Sequence, residues 1–234
     1  MRYLSFLAVV LVFVVIECGV ASAAVSDGTS KTFMLATPDP ATGAVRGFLC
    51  PSSASPLTYT ATSGTPSKGT VAVSTVGAFT YTPTAGARHA AAAESAPRSA
   101  RSDSFTVTAT DTQGVVTAIR VRVPISPANS HPKIKAVRIR SVSTKTGMVT
   151  GILTGNDADG DPLTFTLPRK TATSGALLTM DPVSGLLTYT PTAAARQAAA
   201  ANAATGVVNY ETFGVAVGDG HGGVTVVPVR VPIR

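Results

Sequence analysis

The chain contains one sequence unit twice, and this duplication limits the possible folds more than any other feature. The segment YTPTAGARHAAAA, from Tyr81 to Ala93, returns as YTPTAAARQAAAA from Tyr189 to Ala201, 108 positions later. The segment from Phe105 to Ile125 returns from Phe213 to Ile233 with the same offset. In a chain of 234 residues, this repeat predicts two tandem domains of about 100 residues each, rather than one larger fold.

Within each unit, apolar and polar residues alternate over short stretches. Phe105 to Ala109 and Ile119 to Val123 both place an apolar side chain at every second position. Such alternation is typical of strands with one buried face, and turn residues recur about every ten positions. In the first unit we predict seven strands, near residues 32–36, 44–49, 56–61, 70–74, 77–82, 104–110 and 115–124. Seven short strands in about 100 residues predict a Greek-key β-sandwich.

Two alanine-rich segments, Thr84 to Ala100 and Thr192 to Ala204, interrupt the strand pattern. Alanine is the best helix former, so a short helix between the fifth and sixth strands is one interpretation, and a low-complexity spacer is the other. Between the units runs PISPANSHP, whose prolines favour a stiff, extended connection. We therefore predict repeat domains at 24–125 and 133–234 with a linker at 126–132.

The N-terminus is typical of a secretory signal peptide. Arg2 precedes an unbroken apolar run from Leu4 to Ile16, and the small residues Ala21 to Ala23 follow as a cleavage site. The run is shorter than the roughly twenty residues of a spanning helix, so we expect no stable transmembrane span after cleavage. We predict a signal peptide at 1–23 and a secreted or envelope-associated protein, with retention as an anchor as the alternative.

Charge, cysteine content and motifs argue against several classes of function. The net charge is +7, but the basic residues are scattered, which indicates solubility or attraction to an anionic envelope rather than nucleic-acid binding. The sequence has no nucleophile-elbow, zinc-protease or phosphate-loop motif, so we do not expect an enzyme. Cleavage would leave Cys50 as the only cysteine, which predicts a lone, partly buried thiol and a fold stabilised by burial without disulfides, with a disulfide between two chains as the alternative.

Three segments resemble a known family of repeats. They are NDADGDPLTFTL from Asn156, LLTMDPVSGLLTYTP from Leu177, and the final segment from Phe213. They are similar to the cadherin-type repeat, and more similar to the bacterial cadherin-like and VCBS-type Ig-like tandem repeats of secreted actinobacterial surface proteins. The resemblance covers both units and implies an all-β fold of two tandem Ig-like/cadherin-like Greek-key β-sandwiches after the signal peptide. It also implies that tandem copies form a rod.

The resemblance implies a calcium site between the units. The family's ligands, an Asp-x-Asp in the loop after the second strand and an Asp after the sixth, fall on Asp157, Asp159 and Asp219. Asn156 and Asp161 of the same loop complete the candidate set. Ca²⁺ prefers six to eight oxygen ligands, and it would relieve the repulsion among clustered carboxylates. The alternative is a solvated turn, in which Asp and Asn are ordinary residues.

The family pattern is incomplete elsewhere in this chain. The first unit has the neutral loop CPSSASPLTYT in place of the acidic one, and the linker keeps only Asn129 of the family's acidic linker ligands. The three histidines have ordinary explanations: His89 lies in an alanine-rich segment, His131 in the linker, and His221 in the turn DGHGG. A metal site that combines His221 with the acidic loop is a less favoured alternative to a turn residue.

We predict an exported, non-enzymatic cell-surface or envelope adhesion or structural module, with weakly bound Ca²⁺ at the junction. The alternative is a secreted accessory module that binds a cell-wall polymer without calcium. The expected partners are a cell-surface protein or a wall polysaccharide. The basic segment KIKAVRIR, from Lys133 to Arg140, is a candidate contact strip, and its charged positions switch parity, which predicts a bulge near Val137.

Overall fold

The computed structural model describes residues 31–51, 56–61 and 66–234. The predicted signal peptide lies outside these residues. Within them the chain forms fourteen strands and two helices, with seven strands and one helix in each unit. The predicted all-β class of two tandem sandwiches is confirmed.

The first unit is a sandwich of two antiparallel sheets. Its strands are β1 (Lys31–Leu35), β2 (Val45–Pro51), β3 (Leu57–Ala61), β4 (Gly69–Val73), β5 (Ala78–Pro83), β6 (Ser102–Asp111) and β7 (Val116–Pro124). One sheet has the order β1-β2-β5-β4 and the other has the order β3-β6-β7. The strands lie within about two residues of the predicted positions, which is the ordinary uncertainty of strand ends.

The second unit repeats this arrangement. Its strands are β8 (Lys133–Val142), β9 (Val149–Asn156), β10 (Thr164–Thr166), β11 (Leu177–Met180), β12 (Leu186–Thr190), β13 (Asn209–Gly218) and β14 (Val224–Ile233). The sheet orders are β11-β12-β9-β8 and β10-β13-β14. A sheet of four strands facing a sheet of three is the strand arrangement of the constant-type Ig sandwich.

Each unit encloses its own apolar core. In β6 and β13 the inward positions of the alternating pattern are filled by valines such as Val107, Val215 and Val217, all fully buried. Tyr81 and Tyr189, which occupy equivalent positions in the two repeats, are also fully buried. The two cores do not share residues, so each sandwich buries its own apolar faces.

Both alanine-rich segments contain a helix, so the helical interpretation is confirmed. The helices are α1 (Ala85–Ala92) and α2 (Ala193–Ala203). Each begins after a threonine N-cap: Thr84 accepts a hydrogen bond from the backbone N–H of Ala87, and Thr192 does the same for Ala195. Among the described residues, neither helix has the length and hydrophobicity needed to cross a membrane.

One arginine attaches each helix to its sandwich, a feature that the sequence analysis did not anticipate. The buried guanidinium of Arg88 donates hydrogen bonds to the backbone carbonyls of Pro40, Ala41 and Ser126. Arg196, the equivalent residue in α2, donates to the backbone carbonyls of Lys145 and Arg234. Each arginine therefore joins its helix to the first hairpin of the unit and to the segment that follows the last strand.

Two predictions about particular residues are wrong. The basic strand β8 has no single bulge at Val137; its register shifts between Ile134 and Ala136 and again between Ile139 and Ser141. Charge parity changes once in the sequence, so it could not reveal two irregularities. Cys50 is half-buried and disulfide-bonded. The lone thiol was expected only because the second cysteine of the chain was assigned to the cleaved segment.

Candidate metal centre

Three carboxylates come together at the end of the second unit that faces the first. Asp157 and Asp161 lie in the loop between β9 and β10, and Asp219 lies in the turn between β13 and β14. One oxygen from each of them lies within 4.8 Å of the other two. Asp157 and Asp219 are buried, with 8 % and 2 % of the residue exposed, and the Asp161 side chain is 8 % exposed, so all three carboxylates are largely shielded from solvent. Buried like charges repel one another strongly unless a cation or hydrogen bonds compensate.

Local hydrogen bonds give these loops their shape. Asp157 Oδ1 accepts the backbone N–H of Asp159 at 2.7 Å. Asp219 Oδ1 accepts the backbone N–H of His221 at 2.7 Å and that of Gly223 at 3.0 Å. These are side-chain turns of the kind that Asp commonly forms; each uses Oδ1 and leaves Oδ2 for contacts at the junction.

Gly223 is required beside the Asp219 carboxylate. A Cβ atom at position 223 would lie 1.9 Å from Asp219 Oδ2 and 3.0 Å from Asn129 Nδ2. Any larger residue would displace the carboxylate from its hydrogen bonds. The equivalent position in the first unit is Val115, which is 59 % exposed.

The Asp219 carboxylate remains ionised despite its burial. Burial raises its pKa, but hydrogen bonds from the His221 N–H, the Asn129 side-chain amide and the Gly223 N–H together outweigh burial and lower the pKa. Hydrogen bonds to the charged form are the physical cause. The junction therefore contains a fixed negative charge at neutral pH.

The linker is bound to both units. Its Asn129 donates from Nδ2 to Asp219 Oδ2 at 2.8 Å, and the Ser130 N–H donates to Asp159 Oδ2 at 2.7 Å. The Ser130 hydrogen bond lowers the pKa of Asp159. On the other side, the Ala128 N–H donates to the backbone carbonyl of Arg88 in α1 at 3.2 Å. These hydrogen bonds attach the linker to the second unit through Asn129 and Ser130 and to the first unit through Ala128.

Two oxygens at the junction are buried without a hydrogen-bond partner among the described residues. They are Asp157 Oδ2 and Asn129 Oδ1. A buried polar oxygen without a partner is destabilising, and a buried carboxylate oxygen more so. Both atoms are oxygen donors of the kind that Ca²⁺ prefers. The donor set of the acidic loop therefore fits Ca²⁺.

The predicted ligands divide into two sets in the structure. Asp157, Asp161 and Asp219 lie together, whereas the Asp159 carboxylate is taken by the linker N–H of Ser130. Asn156 is exposed at the end of β9. Asn129, which the sequence analysis kept only as a remnant of the family's linker, contacts the group directly.

Two histidines extend this group toward the first unit. His89 of α1 places Nε2 at 2.9 Å from Asp161 Oδ2, and His221 places Nδ1 at 3.1 Å from the same oxygen. The two rings stack with their centroids 4.1 Å apart. The hydrogen bond to Asp161 raises the pKa of His89. The sequence analysis favoured ordinary roles for both histidines and kept a metal site with His221 as the alternative, since nothing local in their segments places the two together.

Two sandwiches with this strand order, joined by a bonded linker, define the chain as a tandem Ig-like module. Residues 21–123 and 129–231 each match the family model described as the bacterial Ig domain. The chain therefore belongs to the bacterial Ig domain family. No curated protein matches the sequence.

Three solved structures illustrate what this chain is similar to. The human desmocollin-1 ectodomain has 14% identity and a TM-score of 0.32, with 84% of this chain and 34% of that chain covered. Extracellular domains 3–6 of protocadherin gamma B7 have 11% identity and a TM-score of 0.38, with 85% and 44% covered. For murine CEACAM1b the identity is 11%, the TM-score 0.33, and the coverage 82% and 92%. This chain thus spans about a third of the desmocollin-1 chain.

Proposed function

We propose that the chain is an exported adhesion or structural module in which Ca²⁺ at the junction holds two Ig-like units in a fixed relation. Bacterial Ig domains are typically binding or structural domains rather than enzymes. Extracellular or surface location is also typical of this family. The role of calcium depends on the residues at the junction.

The observation that carries the proposal is the buried, unpartnered Asp157 Oδ2 beside two further carboxylates. Asp157, Asp161 and Asp219 supply carboxylate oxygens, and Asn129 supplies an amide oxygen. Ca²⁺ takes about six to eight oxygens, so water would complete the shell. Sites with few protein ligands bind weakly, in the range of about 10⁻⁴ to 10⁻³ M that is typical of extracellular modules.

Such a cation would act on the arrangement of the units as well as on stability. Asn129 belongs to the linker, and its amide already contacts Asp219 of the second unit. The linker N–H of Ala128 contacts α1 of the first unit. A cation that binds Asn129 and the carboxylates together would fix the linker and so limit bending between the sandwiches. A stiff pair of domains suits a module that holds a partner at a distance from the cell.

The test is thermal unfolding of the full chain in EGTA and in millimolar CaCl₂. At a hundred times the Kd, a ligand that binds only the native state stabilises it by about 2.7 kcal/mol. We expect this shift in the wild type and its loss in Asp219→Asn. The matched control is Asp111→Asn, the equivalent turn residue of the first unit, which should keep the shift. An identical melting temperature with and without calcium in the wild type would contradict the proposal.

A second candidate function is binding of an anionic wall polymer, and the surface of β8 favours it. Lys133, Lys135, Arg138 and Arg140 are all exposed on this edge strand. None of them takes part in an ion pair within the described part of the chain. Sedimentation with isolated cell walls in EGTA, across a salt series, tests it: binding that falls steeply with salt supports this function. Salt-independent or absent binding would exclude it.

A further inference from the structure

The two histidines and Asp161 form a second cluster that calcium chemistry does not explain. His89 Nε2, His221 Nδ1 and an Asp161 carboxylate oxygen all lie within 4.8 Å of one another. The side chain of Asp161 is only 8% exposed, and those of His89 and His221 are 25% and 20% exposed. One ligand comes from α1 of the first unit and two come from loops of the second.

The donor atoms of this cluster are close enough to share one small metal ion, and binding requires the stacked rings, whose planes are 17° apart, to turn so that both nitrogens point at it. In a tetrahedral zinc site with bonds of about 2.0–2.1 Å, neighbouring ligand atoms are about 3.3 Å apart. The two histidine nitrogens lie 2.9 and 3.1 Å from Asp161 Oδ2, close to that separation. Two imidazoles with one carboxylate are a ligand set for zinc and similar transition metals, whereas Ca²⁺ selects oxygen.

The internal repeat provides a comparison within the same chain. The position of His89 is occupied by Gln197 in the second unit, and the position of His221 by Gln113 in the first. The position of Asp161, aligned through the shared PLT sequence, is Ser55 in the first unit. Each of the three ligands therefore occurs only in the unit in which its position faces the junction. The equivalent position of the other unit holds a different residue in all three cases.

We propose that His89, His221 and Asp161 form a binding site for a transition-metal ion of the zinc class that links the two units. Water supplies the fourth ligand, because the site has three protein donors. This goes beyond the proposed calcium function, since it takes a nitrogen-preferring metal and uses a side chain of the first sandwich as a ligand. Asp161 belongs to both groups, so the histidines distinguish the zinc site from the oxygen site.

The test is calorimetric titration of Zn²⁺ into the full chain, prepared without a polyhistidine tag and stripped of metal with chelator. We expect one ion per chain. His89→Gln and His221→Gln should each weaken binding by about tenfold or more, because even second-shell changes cost that much. Both substitutions install the residue found at the equivalent position of the other unit, so the fold should tolerate them. His131→Gln, which changes an exposed linker histidine, should leave the affinity unchanged.

Co²⁺ provides an independent readout, because its visible absorption reports four-coordinate nitrogen and oxygen ligation. The expected spectrum appears in the wild type and in His131→Gln, and is lost in both glutamine variants. No zinc binding by the wild type, or equal binding by the wild type and both variants, would overturn the inference. The calcium-dependent melting shift of the same samples is measured in parallel. If the wild type keeps its calcium-dependent melting shift but binds no zinc, the zinc site is overturned and the calcium proposal stands.

Discussion

Tyr189 donates a hydrogen bond from its hydroxyl to Glu211 Oε2 at 3.2 Å within the core of the second unit. The first unit has the same relationship 108 positions earlier, where Tyr81 donates to Asp103 Oδ2 at 3.1 Å. Each acid also accepts the backbone N–H of a loop residue: Ser174 for Glu211, and Lys68 for Asp103. A buried tyrosine and acid thus fix the loop before β4 and its counterpart before β11.

This pair predicts a loss of stability at alkaline pH. Burial, together with the charge and hydrogen bond of Glu211, raises the pKa of Tyr189 from 10.0 to about 12. Because the pKa of the folded state is above that of the unfolded chain, the contribution of Tyr189 is complete below about pH 10 and is lost as pH rises toward 12. A shift of this size corresponds to about 2–3 kcal/mol.

Chemical denaturation between pH 9 and about pH 12 checks the alkaline prediction. Tyr189→Phe should be less stable than the wild type at pH 9, because Glu211 loses a partner. Its stability should then fall less steeply with pH. Parallel pH profiles for the two proteins would show that Tyr189 ionises at its ordinary pKa. Absorbance of tyrosinate in the folded protein provides the direct titration.

The different surroundings of Arg88 and Arg196 predict that replacing them with alanine destabilises the protein to different extents. It is buried and donates to three backbone carbonyls, whereas the half-buried Arg196 donates to two. Removal of the guanidinium leaves the carbonyls without a protein partner, at about 1–3 kcal/mol for those that water cannot reach. We expect Arg88→Ala to destabilise the protein more than Arg196→Ala, as measured by urea unfolding. Equal effects would mean that the helix is held mainly by its apolar contacts.

Asp157 predicts opposite effects with and without calcium. In EGTA, Asp157→Asn should raise the free energy of unfolding by about 1 kcal/mol, because it removes a buried charge that has one unpartnered oxygen and lies near two other carboxylates. The Asn side-chain oxygen can still accept the Asp159 N–H. In millimolar CaCl₂ the wild type should be the more stable protein, since the variant lacks a ligand. The crossing of the two stabilities is the result to look for in thermal unfolding.

The strands were predictable from the sequence, because alternation along β6 or β13 is a local property of a strand that buries one face. The Asp157, Asp161 and Asp219 group was predictable only through the resemblance to a family. Local sequence could not distinguish Asp159, whose carboxylate turns to the linker N–H of Ser130. That choice depends on where the linker runs, which is a property of the assembled junction.

The histidine cluster was beyond the reach of local patterns for a similar reason. His89 lies 72 positions from Asp161, and their contact requires both the helical form of α1 and the orientation of the two units. A comparison of the repeats does distinguish these two histidines from ordinary repeat residues. The position equivalent to His89 is Gln197 in the second unit, and the position equivalent to His221 is Gln113 in the first. At these two positions, the difference between the copies lies where the two units meet.

Gly223 provides a test of the junction geometry itself. A methyl group at this position would lie 1.9 Å from Asp219 Oδ2, so Gly223→Ala must displace a carboxylate that three hydrogen bonds hold. We expect destabilisation by about 1–3 kcal/mol, as for other overpacked sites, together with a weaker calcium shift. Val115→Ala, at the equivalent exposed position of the first unit, should change stability by less than about 0.5 kcal/mol. Thermal unfolding of both variants in EGTA and in CaCl₂ makes the comparison. If Gly223→Ala were as stable as the wild type, Asp219 would have to occupy a different position, and the Asn129 contact that fixes the linker would be lost with it.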